Sequence, residues 1–92
     1  MNSLKAMDVI VNTFIIPIYH QLTLPLVTVY DHPTDYPDVY VARLFGAEEG
    51  ATNIIMTSYS LQELRSRIMK SGFMARLNRD VNDDEKILEV WI

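Results

Sequence analysis

Ninety-two residues make one domain with a small core, because a chain of this length buries only about 60–65% of its potential surface. The absence of cysteine excludes disulfides, thiolate nucleophiles and zinc–thiolate sites, and it favours a cytoplasmic setting over a secreted one. A net charge of −4 argues against a dedicated nucleic-acid binder, which normally shows a basic face.

Residues 3–15 carry two conflicting signals. Leu4, Met7, Val11 and Phe14 recur at helical spacing, and Ser3 suits an N-cap. Val9, Ile10, Val11, Thr13, Ile15 and Ile16 are β-branched, which favours a strand. The spacing leads us to expect an N-terminal apolar helix or arm. The stretch 9–18 is far shorter than the about 20 apolar residues a bilayer needs. Lacking an Ala-x-Ala site, it reads as part of the folded protein and not as a leader. Residues 1–24 are then an extension on a core formed by 26–92.

Leu26–Tyr30 alternates as a strand. Asp31–Asp38 holds two prolines and three aspartates, the composition of a rigid loop. Val39–Phe45 is the second strand, 46–51 a glycine-bounded acidic turn, and Asn53–Ser58 the third strand, so the last two should form a hairpin. A helix is expected over 61–71. Ser60 and Glu63 make a capping box, and Leu61, Leu64 and Ile68 an apolar stripe that Met69 widens. Glu63 is spaced to pair with Arg67, and Gly72 is the natural residue to end the helix. Phe73–Leu77 reads as a short extended piece, 78–85 as a charged turn, and Ile87–Ile92 as a closing strand. The expected fold is α+β: a small, mainly antiparallel sheet in the order β-β-β-α-β.

One helix covers one face of such a sheet. We expect Val27, Val29, Ile54, Met56, Leu88, Val90 and Ile92 to lie under the helix. The other face would then show Leu26, Ile55, Ile87 and Trp91. Hydrophobic residues are 49% of the chain, a surplus that points to an interface. Residues 4–18 are expected to cover the second face, in the same chain or across a homo-oligomer, which makes Ile10, Phe14, Ile15 and Trp91 the candidate interface residues.

Asp31-His32-x-x-Asp35 is the one cluster with chemical reach, since a histidine flanked by carboxylates can act as a base or a ligand. Its spacing fits no metal motif, and its prolines favour a structural loop. Glycines 46 and 50 flank two glutamates, which would repel a phosphate. The basic run Arg65, Arg67, Lys70, Arg76 and Arg79 is expected to solvate the surface and pair with acids. Arg43 sits in an otherwise apolar strand, so it either faces solvent or pairs with a buried acid. His32, Asp35, Tyr36 and Arg43 are the candidate binding residues.

The run His32-Pro33-x-Asp35-Tyr36-Pro37-Asp38-x-Tyr40-Val41-Ala42-Arg43-Leu44-Phe45 resembles the opening of a group of short, uncharacterised proteins of bacteriophages and prophage regions of Gram-positive bacteria. Ser60-Leu61-Gln62-Glu63-Leu64-Arg65 and Asn82-Asp83-Asp84 with Ile87-x-Glu89-x-Trp91-Ile92 are similar as well, so the resemblance spans about residues 26–92. It implies an intracellular, phage-linked setting and carries no activity, cofactor or metal. The expected function is a non-enzymatic interaction protein, a homo-oligomer that binds another macromolecule. The alternative is a small hydrolase or nuclease-like enzyme using Asp31, His32 and Asp35.

Overall fold

The computed structural model describes residues 7–80 and 82–92; the expected N-cap Ser3 lies outside them. Two adjoining antiparallel pairs form the centre of the sheet. Strand β2 (Leu26–Asp31) pairs with β3 (Tyr40–Gly46), and β3 pairs with β4 (Gly50–Ser58). The β3–β4 hairpin closes with Gly46 opposite Gly50, and Gly50 takes φ +77°, which its missing side chain permits. Helix α2 (Leu61–Lys70) follows, and the chain returns through β5 (Arg76–Asn78) to β6 (Ile87–Trp91), which pairs with β2.

The N-terminal segment departs from the helix expected over 3–15. Val9–Ile10 forms a short strand, β1, parallel to β4, with Val9 opposite Ile54 and Ile10 opposite Ile55. Its β-branched residues suit an extended edge, and β4 offers a free one. Among the described residues before β2, the helical turn comes later, α1 at Ile16–Tyr19, where Pro17 sits in the first turn and lacks no needed donor. Among the described residues the sheet therefore has six strands in the order β1-β4-β3-β2-β6-β5, two more than expected.

The core lies on the α2 side of the sheet. Val27, Val29, Ala42, Leu44, Met56 and Trp91 rise from the strands to meet Leu64 and Ile68 of α2. Phe14 and Phe73 complete this layer, their rings edge to face at 6.4 Å. The helix starts as its sequence dictates, with Ser60 Oγ accepting from the Glu63 N–H at 3.1 Å. The Glu63 carboxylate accepts instead from Ser58 Oγ at 2.6 Å, and that hydroxyl accepts from the Ser60 N–H at 3.0 Å. Arg67 does not pair with Glu63 either. It donates to the carbonyls of Val11, Asn12 and Thr57 at 2.9–3.1 Å. Gly72 ends the helix with φ +107°, and a side chain there would press on the Tyr19 hydroxyl.

Two face assignments change. On β6 it is Glu89 and Trp91 that turn towards α2, opposite Val29 and Val27, while Val90 turns away. Glu89 is 3% exposed. It can sit there because Arg65 of α2 donates to it from Nε and Nη2 at 3.0 and 2.7 Å and Trp91 Nε1 donates at 2.9 Å. Phe14 (1% exposed) and Trp91 (4%) belong to the chain's own core, so they cannot serve as an interface; Ile10 and Ile15 are exposed. Residues 11–22 pack on the α2 side, through Val11, Phe14, Ile18, Tyr19 and Leu22, and of the described N-terminal residues it is Asp8 that reaches the second face, at Arg43.

Candidate functional site

The second face of the sheet is built from the opposite phase of each strand: Leu26, Thr28 and Tyr30 of β2, Val41, Arg43 and Phe45 of β3, Ile55 and Thr57 of β4, and Val90 of β6. No helix lies on it among the described residues. The loop between β2 and β3 folds over one end instead. A cleft of about 210 Å³ lies between Pro33 and Asp35 of that loop and Tyr30, Val41 and Arg43 of the sheet. A second, more open groove of about 300 Å³ runs along the other side of the loop, lined among others by Asp35, Tyr36, Pro37, Ile10 and Tyr59. Asp35 borders both.

A polar clamp fixes the loop and the β1 approach over the sheet. Arg43 Nη1 donates to Asp8 Oδ1 at 2.8 Å and Nη2 to Asp8 Oδ2 at 3.1 Å, a bidentate pair. Nη1 also donates to the Thr52 carbonyl at 2.8 Å. The Tyr36 hydroxyl donates to Asp8 Oδ2 at 2.9 Å and so ties the loop to the same carboxylate. The hydrogen bond from Arg43 holds the Asp8 carboxyl below the usual carboxylate range, against a smaller opposing effect of burial. Burial pushes the Tyr36 hydroxyl up, and its bond to Asp8 adds to this. Arg43 thus takes the second of the two fates its sequence setting allows: it pairs with an acid, and each side chain is about one-sixth exposed.

The sheet itself separates the residues of the Asp31-His32-x-x-Asp35 cluster. Asp31 pairs across from Tyr40 in the phase that faces α2, and the His32 ring stands edge-on to Tyr40 at 4.7 Å between centroids. His32 Nδ1 lies 2.5 Å from Asp31 Oδ1. Asp35 is on the other side, beside Tyr30 and Arg43. Of the four candidate binding residues, Asp35 and Arg43 share the cleft, Tyr36 braces it, and His32 is elsewhere. In the sequence the lining residues Tyr30 and Val41 are legible only as strand residues and Pro33 only as a loop residue, and Asp8, which holds Arg43 from beside the cleft, carries no local signal, since its partner lies 35 positions away.

Burial raises the Tyr30 hydroxyl above its ordinary value; Arg43 opposes this, and the carboxylates of Asp84, Asp35 and Asp83 add to it. Asp35 is the one acid in the lining of the cleft. Among the described residues no group of three His, Asp or Glu side chains is placed to hold a metal ion, and no helix is long and apolar enough to cross a membrane. No family model, curated protein or solved structure matches the chain.

Proposed function

We propose that this chain is a small, non-enzymatic interaction protein, a homo-oligomer that binds another macromolecule through the sheet face opposite α2. The observation that carries the reading is the unequal cover of the two faces. One is closed by α2 and the N-terminal segment. Among the described residues the other has the β2–β3 loop and Asp8 over one end, where Val41 and Ile55 are buried, and it leaves Leu26, Phe45 and Val90 half-buried, with Leu77 of β5 exposed beside Val90. Apolar side chains that stay open on one face while the other is closed fit a protein contact. The cytoplasmic, phage-linked setting expected from the resemblance of residues 26–92 is part of this proposal.

Light scattering over a range of concentrations tests it. The wild-type mass should exceed 10.6 kDa, and Leu77→Lys should bring it down towards that monomer value without changing the circular dichroism. A wild-type chain that stays monomeric throughout, and whose mass Leu77→Lys does not change, would refute the self-association.

The close contact of His32 with Asp31 keeps a second reading in view, a small hydrolase or nuclease-like enzyme. It requires turnover that His32→Ala abolishes while the fold stays intact. Separation of Asp35 from that pair by the sheet weighs against it.

A further inference from the structure

We infer that the cleft beneath the β2–β3 loop receives a cationic side chain, arginine or lysine, from a basic segment of a partner protein. This rests on the interaction reading above and names the chemistry of the partner.

The size of the cleft is the first argument. Its volume of about 210 Å³ is below the about 300–1,000 Å³ of sites that enclose a whole small molecule, and it suits a single extended side chain. Its lining is the second. Val41, Pro33 and the ring of Tyr30 offer apolar surface for a methylene stem, and Asp35 stands beside them for the charged end.

Charge is the third argument, and it decides the sign of the ligand. Arg43 is the one cation in the wall, and Asp8 neutralises it through both carboxylate oxygens. Asp35 then remains as the one carboxylate in the lining that no arginine or lysine pairs with. An anion seeking Arg43 would have to displace Asp8 and approach Asp35. A cation meets an apolar slot with Asp35 at its edge. The whole chain has the same bias, at net −4, which steers basic partners towards it.

The test is an NMR titration of the full chain with a short glycine-spaced peptide carrying two arginines. The same peptide with citrulline, the neutral isostere, and inorganic phosphate are run beside it. The arginine peptide should shift the amides of Tyr30, Asp35 and Val41. The citrulline peptide should bind at least tenfold more weakly, and Asp35→Asn should weaken the arginine peptide at least fivefold with no change in melting temperature. Equal binding of the citrulline peptide, unchanged binding by Asp35→Asn, or larger shifts at these amides with phosphate would each overturn the inference. If the arginine peptide shifts nothing while Leu77→Lys still dissociates the oligomer, the cation site is lost and the interaction reading survives. If the chain is also monomeric throughout, both fall.

Discussion

Arg65 and Glu89 make unequal demands on the fold, and two substitutions should expose the difference. Glu89 is 3% exposed, whereas the Arg65 side chain is one-third exposed and can swing into water. Glu89→Gln removes the charge but leaves an acceptor for Trp91 Nε1. It should cost about 1 kcal/mol, the scale of a charge-assisted bond replaced by a neutral one. Arg65→Ala leaves the carboxylate buried with Trp91 and with Arg76, whose Nη1 is 3.7 Å away. Stranding a buried charge costs about 3–5 kcal/mol, and partial help from Arg76 places this case near 3. For a domain of this size that is a fall of about 12–24 °C in melting temperature.

The pH dependence sharpens the test. In the wild type, burial alone would raise the Glu89 carboxyl; the hydrogen bonds from Arg65 and Trp91, with the charges of Arg65 and Arg76, outweigh burial and hold it below the ordinary value. Its contribution is therefore present above the unfolded pKa, about 4.3, and is lost as pH falls through the depressed folded value. Without Arg65 burial prevails and the folded value rises above the unfolded one. The variant then regains stability relative to wild type as pH falls below about 4. Urea unfolding at pH 7 and pH 4 reads both effects. A penalty for Arg65→Ala that is no larger than that of Glu89→Gln, or that is the same at both pH values, would refute the reasoning.

Three further outcomes follow from the same contacts. Asp8→Asn should destabilise the fold by about 2 kcal/mol at pH 7, because it weakens a largely buried bidentate pair; the difference from wild type should shrink as acid protonates Asp8 through its lowered folded pKa, as urea titrations would show. Phe14→Ala should cost about 3–5 kcal/mol, since the ring is 1% exposed and packs on Phe73, and calorimetry showing less than 1 kcal/mol would remove Phe14 from the core. His32→Ala should cost about 1 kcal/mol through the lost contacts with Asp31 and Tyr40, and His32→Gly should be the milder change, because His32 holds φ +50°, a conformation glycine adopts freely; the reverse order would argue against strain there.

The parts of the fold that the sequence reveals are those held by local patterns. Alternation in 26–30 and 39–45, the Ser60 cap and Gly72 at the helix end each act within a few residues, and the structure keeps all of them. What escaped depends on partners far along the chain. The run Ile87–Ile92 is apolar in both phases except for Glu89, so alternation alone sends Glu89 outward. Its inward placement needs Arg65, 24 positions earlier. The β1 strand likewise depends on a free edge at β4, over 40 residues away, which outweighs the helical spacing of Met7, Val11 and Phe14. At the site, Arg43 is legible as an unusual residue in an apolar strand and Asp35 as one of the aspartates of the loop. That they share a cleft, and that Asp8 neutralises Arg43, follows only from tertiary pairing.

The N-terminal segment chooses its side of the sheet for the same kind of reason. The chain leaves β1 with the carbonyls of Val11 and Asn12 lacking strand partners, and Arg67 of α2 supplies donors for both. Ser71 then fixes the next turn: its Oγ accepts from the Phe14 N–H at 2.9 Å and its carbonyl from the Tyr19 hydroxyl at 2.9 Å. Such donors and acceptors lie at the end of α2 and hence on the core side, where Phe14 also finds Phe73. An apolar arm with unmet backbone groups goes where both needs are met. Among the described residues the opposite face is then covered by the loop and the Asp8–Arg43–Tyr36 clamp. The packing that completes the core is thus also what leaves the cleft beside Asp35 and Arg43 on the face away from α2.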